Sequence, residues 1–220
     1  MNDWLITLLV DENYNMKYLL TKANAEAIRF ACVKFHYSKR VPVNSHWYNV
    51  YILKEAEDQW EGHYEKHRCW VIIFWSWANN NLVKSVNLKQ WQVYELTRVA
   101  LNWKQENVSE PLAIALKLFK KDVPLCKMIV SYADEAQWHK WGIYQATNRI
   151  YLWKVSSQSA VDPEDWKIKH TRTLHSKYWS IKGFKLVKDA PKHRYVYPLD
   201  TETRKLMWAI SWQKYPKKAL

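Results

Sequence analysis

Three clusters of side chains in this 220-residue chain could do chemistry. The first is His36-Tyr37-Ser38, followed by Lys39 and Arg40. An imidazole beside a phenol supplies a general base and a ring that can donate a proton or stack on a base. The same stretch also reads as a basic loop touching phosphate. The second is Asn79-Asn80-Asn81, directly after an apolar strand-like run. Its amides could orient the edge of a base or a cofactor amide, or form a solvated turn. The third is "VSYADEAQWHKWGIYQATNRIY" over 130–151. It gathers Ser131, Asp134, His139, Tyr144, Gln145 and Asn148 around one strand-to-helix junction. Polar groups that dense after an apolar strand mark a candidate site; the bland reading is a surface loop with helix capping by Thr147 and Asn148. The chain carries no Walker A loop, GxGxxG, HExxH, paired CxxC or GxSxG elbow.

Those clusters must be held by regular elements. Residues 23–34 place Ile28, Ala31 and Cys32 at helical spacing. Residues 47–53, 69–74, 92–101 and 126–133 read as strands, and Asp134 closes the last of them. A helix is expected from Ser109, as N-cap, to about Lys121, on the stripe Leu112, Leu116 and Phe119, and Pro124 stops it. A second helix over 142–150 leads into a strand at 150–155. Residues 55–67 read as a turn-containing connection, 157–170 as a polar loop, and the tail from 191 as basic and Pro-punctuated. With no repeat or low-complexity linker, this is one domain over 1–220. Its class is α/β (mixed α+β), a central mixed sheet flanked by helices.

Lys and Arg number 34 against 21 Asp and Glu, a net charge of +13, which favours a polyanion such as nucleic acid. No apolar run reaches the roughly 18 residues of a membrane span, and the N-terminus has neither the basic flank nor the cleavage site of a signal peptide. The expectation is a cytoplasmic protein with no membrane partner. Cys32, Cys69 and Cys126 are too dispersed for a disulfide framework and read as core residues in a reducing compartment.

The chain has 15 Trp and only 3 Gly, where average usage predicts about 15 Gly. Several Trp stand where loops ordinarily use glycine for positive φ or close backbone approach. One reading is that UGA codons meant as glycine are rendered here as Trp, with Trp70, Trp75, Trp77, Trp138, Trp141 and Trp153 as candidates and Trp47 and Trp166 as natural. The other is an aromatic surface that stacks on bases.

With glycine restored, 72–82 reads "IIFGSGANNNL" and 130–153 reads "VSYADEAQGHKGGIYQATNRIYLG". Together with "HYS" at 36–38, "ELTRVAL" at 95–101 and "KHRYVYPLD" at 192–200, these strings resemble the Mom family of phage DNA-modification proteins. The likeness runs along nearly the whole chain, weakest in the first 25 residues and in 157–170. It implies a GNAT-like acetyltransferase-type fold and conversion of adenine in double-stranded DNA to an N6-substituted, methylcarbamoyl-type derivative that shields phage DNA from restriction. By matched motif it implies His36, Tyr37, Asp134 and Tyr144 as catalytic residues, and Arg98 and Ser131 as contacts for acetyl-CoA or a related acyl donor. Asn79, Asn80, Asn81, His139, Gln145 and Asn148 are then substrate contacts, and Lys39, Arg40, Lys192, His193 and Arg194 DNA contacts. The acetyltransferase pyrophosphate signature, Arg/Gln-x-x-Gly-x-Gly/Ala, is absent after the 92–101 strand. Rival readings are an acyl-CoA-dependent N-acetyltransferase on a non-DNA amine and a non-catalytic DNA-binding module.

Overall fold

The computed structural model describes residues 18–42, 46–52, 68–76, 78, 80–135 and 142–210. The chain opens with strand β1 (Tyr18–Lys22) and helix α1 (Ala25–Lys34). Asn24 accepts from the Ala27 backbone N–H at 2.8 Å, closing the helix N-terminus. Strands β2 (His46–Ile52) and β3 (Arg68–Trp75), short helix α2 (Asn80–Ser85) and strand β4 (Val93–Leu101) follow. Then come helix α3 (Ser109–Asp122), strand β5 (Met128–Asp134), helix α4 (Gly142–Ala146) and strand β6 (Ile150–Val155). Strands β7 (Gln158–Val161) and β8 (Ile168–His170), helix α5 (Thr171–Tyr178) and strand β9 (Leu186–Lys188) precede β10 (Lys192–Pro198) and helix α6 (Thr201–Ile210).

Seven strands form one sheet in the order β1-β2-β3-β4-β5-β10-β6. All pairs are antiparallel except β4 and β5, which run parallel across α3. Alternation along β3 shows how the layers are built. Ile72 and Phe74 pack with Leu112, Leu116 and Phe119 of α3, whereas Val71 and Ile73 pack with Ile28, Ala31 and Cys32 of α1. Further along, Val130 and Val196 meet Leu82 and Val83 of α2 and Met207 of α6. Helices thus cover both faces, as expected for this class. The three cysteines are buried and form no disulfide. Burial pushes the Cys126 thiol up to about 12, which suits a packing role rather than a reactive one.

Several expectations need correction. Residues 157–170 form β7 and β8, which join β9 in a separate three-stranded sheet, order β8-β7-β9. The tail from 191 enters the core as β10, flanked by β5 and β6, before α6. Its short run of alternating apolar residues was masked by the surrounding basic ones. Ser109 is the first helical residue and not the cap. Asn107 accepts from the Glu110 N–H at 2.9 Å and does the capping. Asn80 and Asn81 open α2 instead of forming a loop. The 55–67 connection lies outside the described residues.

The backbone also bears on the tryptophans. Trp70, Trp103, Trp166 and Trp179 take φ values of 93°, 68°, 56° and 62°, in the region that only glycine enters freely. Trp70 sits at a bulge where Val50 faces Trp70 and Tyr51 faces Arg68, leaving Cys69 as the extra residue. Trp179 follows the last residue of α5 and donates to the His175 carbonyl at 3.0 Å, a left-handed helix terminus of the kind glycine supplies. Trp166, which reads as natural in the sequence, is among those that hold this left-handed backbone. Trp75 and Trp153 were expected to stand at glycine positions. They lie within β3 and β6 without positive φ, and Trp153 packs under the Arg194 guanidinium at 5.2 Å. Trp77, Trp138 and Trp141 lie outside the described residues.

Candidate active site in the wedge between two parallel strands

The parallel pairing of β4 with β5 covers only Val93 to Glu95 against Met128 to Val130. Immediately beyond, β4 carries a bulge: Ile73 faces Arg98 and Phe74 faces Leu96, so Thr97 is the extra residue. A bulge bends and over-twists its strand. Here it turns β4 away from β5 at the point where their ladder stops. The two strands diverge toward their C-terminal ends, and from Leu96 the edge of β4 that faced β5 has no strand partner among the described residues.

A cavity of about 740 Å³ fills this wedge. One wall is β4, with Thr97, Arg98 and Val99; the other is Tyr132 of β5. His36 and Tyr37 close it from the loop after α1, and Tyr144 closes it from α4. Residues far apart in sequence therefore meet because the sheet opens. His36 is buried. Its Nδ1 accepts from the Ser38 backbone N–H at 3.2 Å and lies 2.9 Å from the Ser38 hydroxyl, which leaves the ring proton on Nε2. The imidazole lies against the Tyr37 ring at 4.3 Å.

Tyr37 lines the cavity while remaining 43% exposed. Burial raises its phenol pKa, the Asp134 carboxylate raises it further, and the Arg98 guanidinium opposes both. Burial likewise raises Tyr144, which feels Tyr37 directly. Tyr144 stacks on Tyr195 of β10 at 4.6 Å and under the Arg149 guanidinium at 5.4 Å. Both phenols are thus held protonated near neutral pH, with a carboxylate and a guanidinium at hand. Arg98 donates from Nη1 to the Thr97 carbonyl at 2.6 Å, while its buried Nε meets no acceptor among the described residues.

Other expected site residues fall elsewhere. Ser131 is 1% exposed, accepts from Arg149 at 2.9 Å and does not line the cavity. Asn148 is exposed in the α4–β6 turn at φ 52°, a conformation asparagine tolerates, and Gln145 is exposed on α4. Neither lines the cavity, nor does Asn81. Asn79 and His139 lie outside the described residues. Lys39 and Arg40 are exposed and do not line the cavity; Lys39 donates to the Lys34 carbonyl at 2.9 Å. His193 and Arg194, expected on DNA, are 0% and 8% exposed within β10 and cannot present charge to a phosphate backbone. His193 bonds instead to Tyr151 at 3.1 Å and to Glu135, and Glu135 also pairs with Lys154 at 2.6 Å. Lys192 starts β10 opposite Asp134. Sequence reading missed Tyr132, Gln105 and Arg149; an arginine inside an apolar strand start was the available signal for the last. Among the described residues no group of three His, Cys, Asp or Glu side chains could hold a metal, and no helix is long and apolar enough to cross a membrane.

The family model of the Mom proteins matches residues 17–217. The chain belongs to the Mom protein family. No curated protein matches it by sequence. Among solved structures, this Mom-family chain is similar to Arabidopsis thaliana NAA60 in complex with acetyl-CoA: 8% identity, TM-score 0.51, covering 83% of this chain and 98% of that one. An acetyltransferase of the GNAT family from Bacillus anthracis is also similar, at 10% identity, TM-score 0.46, and 83% and 95% coverage. The Mom-family fold here is GNAT-like, as its sequence strings implied.

Two predictions arise directly. Ser131→Ala removes the acceptor of a buried guanidinium N–H and should cost about 1.5–3 kcal/mol of stability, read by urea denaturation. The second concerns pH. Burial lowers the pKa of His46, with Asp122 opposing and Lys22 assisting. Burial also lowers His193, with Glu135 opposing and Lys154 assisting. The unfolded chain therefore binds more protons than the fold as pH drops through about 6.5 and below. Stability present above that pH should be lost on acidification, and thermal melts should move down between pH 7.5 and 5.5. His46→Gln should flatten that decline; an unchanged slope would exclude His46 as its source.

Proposed function

We propose that this Mom-family protein modifies adenine in double-stranded DNA at its exocyclic amine, giving an N6-substituted, methylcarbamoyl-type base that resists restriction. The observation that carries the reading is the wedge cavity, lined by Tyr37, Arg98 and Tyr144 from three separate elements, with the Asp134 carboxylate at the end of β5 acting on the Tyr37 phenol. Adenine's amine is a weak nucleophile because its lone pair is delocalised into the ring. A carboxylate such as Asp134 can take the amine proton as the new bond to nitrogen forms. Tyr37 and Tyr144, both protonated, can flank the base and donate to its ring nitrogens. A target in a duplex must first leave the stack, at a cost of a few kcal/mol, and the open end of the wedge offers the place to receive it.

The open edge of β4, the donor left over on Arg98 and the buried Gln105 Oε1 without a donor among the described residues fit an elongated amide-bearing arm. A thioester of the acyl-CoA type, the class of ligand seen with the similar plant protein, would supply an activated carbonyl carbon and leave as the CoA thiolate; to give the methylcarbamoyl-type base its acyl group would itself have to carry the second nitrogen, since transfer of acetyl would give N6-acetyladenine. Leu96 to Leu101 and Gln105 would hold it along β4, and Phe35, Val108 and Ile143 would exclude water.

The test is mass analysis of nucleosides from DNA of cells expressing the protein. A heavier deoxyadenosine species is expected. Unmodified DNA, together with acyl transfer to small amines or peptides in vitro, would favour the N-acetyltransferase reading that the fold also accommodates. Unmodified DNA with tight, salt-sensitive binding would favour a non-catalytic DNA module.

A further inference from the structure

The segment 156–191 is an insertion between β6 and β10, two strands that pair with each other. It leaves after Val155 and returns at Lys192, which face each other in register. Lys192 also faces Asp134, the last residue of β5. The insertion therefore springs from the end of the sheet at which β4 and β5 diverge.

Its charge is arranged unusually. The segment holds seven Lys and Arg against four Asp and Glu. The acids are all engaged within it or at its base. Asp162 is fully buried and bonds to Lys169 at 2.7 Å, Lys177 at 3.2 Å and the Tyr178 hydroxyl at 2.5 Å. Burial would raise its pKa, but those bonds hold the carboxyl well below the usual range. Asp165 pairs with Lys169 at 2.7 Å, Glu164 with Lys177 at 2.6 Å, and Asp189 accepts from Ser157 at 2.5 Å. This network ties β7, β8 and α5 into a fixed unit. Lys167, Lys182, Lys185 and Lys188 are exposed and form no ion pair with a described residue. Each of these acids is paired with a lysine or a hydroxyl, so the exposed lysines dominate the charge that the unit presents.

We infer that the 156–191 insertion is a docking element for the phosphate backbone of duplex DNA, with Lys167, Lys182, Lys185 and Lys188 as its contacts. This rests on the DNA reading of the wedge and specifies how the duplex is held: the backbone lies on the insertion, at the same sheet end as the cavity that receives the base. The phosphate-contacting role that the sequence suggests for His193 and Arg194 falls instead on lysines of the preceding insertion.

The test compares two variants of the full chain, K167Q/K182Q/K185Q/K188Q and, as control, K117Q/K120Q/K121Q on the exposed side of α3. Binding to a fluorescent duplex is titrated over a range of salt. Each lost phosphate contact lowers the slope of log affinity against log salt by about 0.9. The insertion variant should lose two to four such units and bind about tenfold or more weakly near 0.1 M salt. The α3 control should keep the wild-type slope and affinity. The pair variant K182Q/K185Q should show an intermediate slope and guards against a folding defect in the quadruple change. Wild-type slope and affinity in a folded quadruple variant would overturn the inference and leave the DNA reading intact. A wild-type protein that binds no duplex at any salt would overturn the DNA reading itself, and the docking element with it.

Discussion

Replacing Trp103, Trp166 and Trp179 together with glycine is expected to raise the melting temperature by about 6–12 °C. All three hold left-handed backbone, which costs an L-residue roughly 1–2 kcal/mol. Part of the gain is offset by the larger unfolded-state entropy of glycine, leaving about 1 kcal/mol each and about 3 kcal/mol for the set. At this chain length 1 kcal/mol corresponds to about 2–4 °C. Their indoles contribute little packing, since they are 81%, 80% and 94% exposed. Trp70 is left out of the set because its ring is lodged against Phe30 at 4.3 Å and Phe35 at 5.5 Å, so its removal mixes strain relief with lost contact. The alanine triple separates the causes: alanine removes the indole but keeps the backbone penalty. A stabilised glycine triple beside an unchanged alanine triple assigns the effect to φ, and equal melting temperatures would sink the explanation. Genomic codons at these positions are expected to be UGA; UGG would remove the recoding account while leaving the strain.

Asp134→Asn is expected to reduce DNA modification by a factor of about 10²–10⁴, the usual contribution of a positioned general base, while the melting temperature changes little. The substitution preserves shape and removes charge. Asp134 closes β5, opposite Lys192, and its carboxylate acts on the Tyr37 phenol. Losing that charge should also lower the Tyr37 pKa, since the carboxylate disfavours the phenolate. Two readouts follow: nucleoside mass analysis for the product, and ultraviolet difference titration for the phenol. A folded Asp134→Asn protein that modifies adenine at the wild-type rate would remove Asp134 from the mechanism.

Sequence periodicity located the elements that bury a face. The spacing of Ile28, Ala31 and Cys32 gave α1, and the stripe Leu112, Leu116 and Phe119 gave α3, because amphipathic burial leaves its own period in the sequence. The strings around His36 and Asp134 also pointed to residues that do meet. The parts read wrongly are those where tertiary contact overrides local composition. The segment 192–198 is basic and polar in sequence, yet it lies between β5 and β6, where His193 finds Tyr151 and Glu135 and Arg194 finds the rings of Tyr132 and Trp153. A buried charged group survives only with partners, and those partners come from strands forty or more residues away. Likewise Ser131 and Asp134 sit three residues apart on one strand but face opposite sides of the sheet, so a single polar cluster in sequence divides between a bond to Arg149 and an electrostatic effect on the Tyr37 phenol. The wedge itself depends on the bulge at Thr97 and on where the parallel ladder stops. Strand register is decided by pairing between strands and has no local signature, which is why the sequence marked the chemistry but only the tertiary structure shaped the place where it would occur.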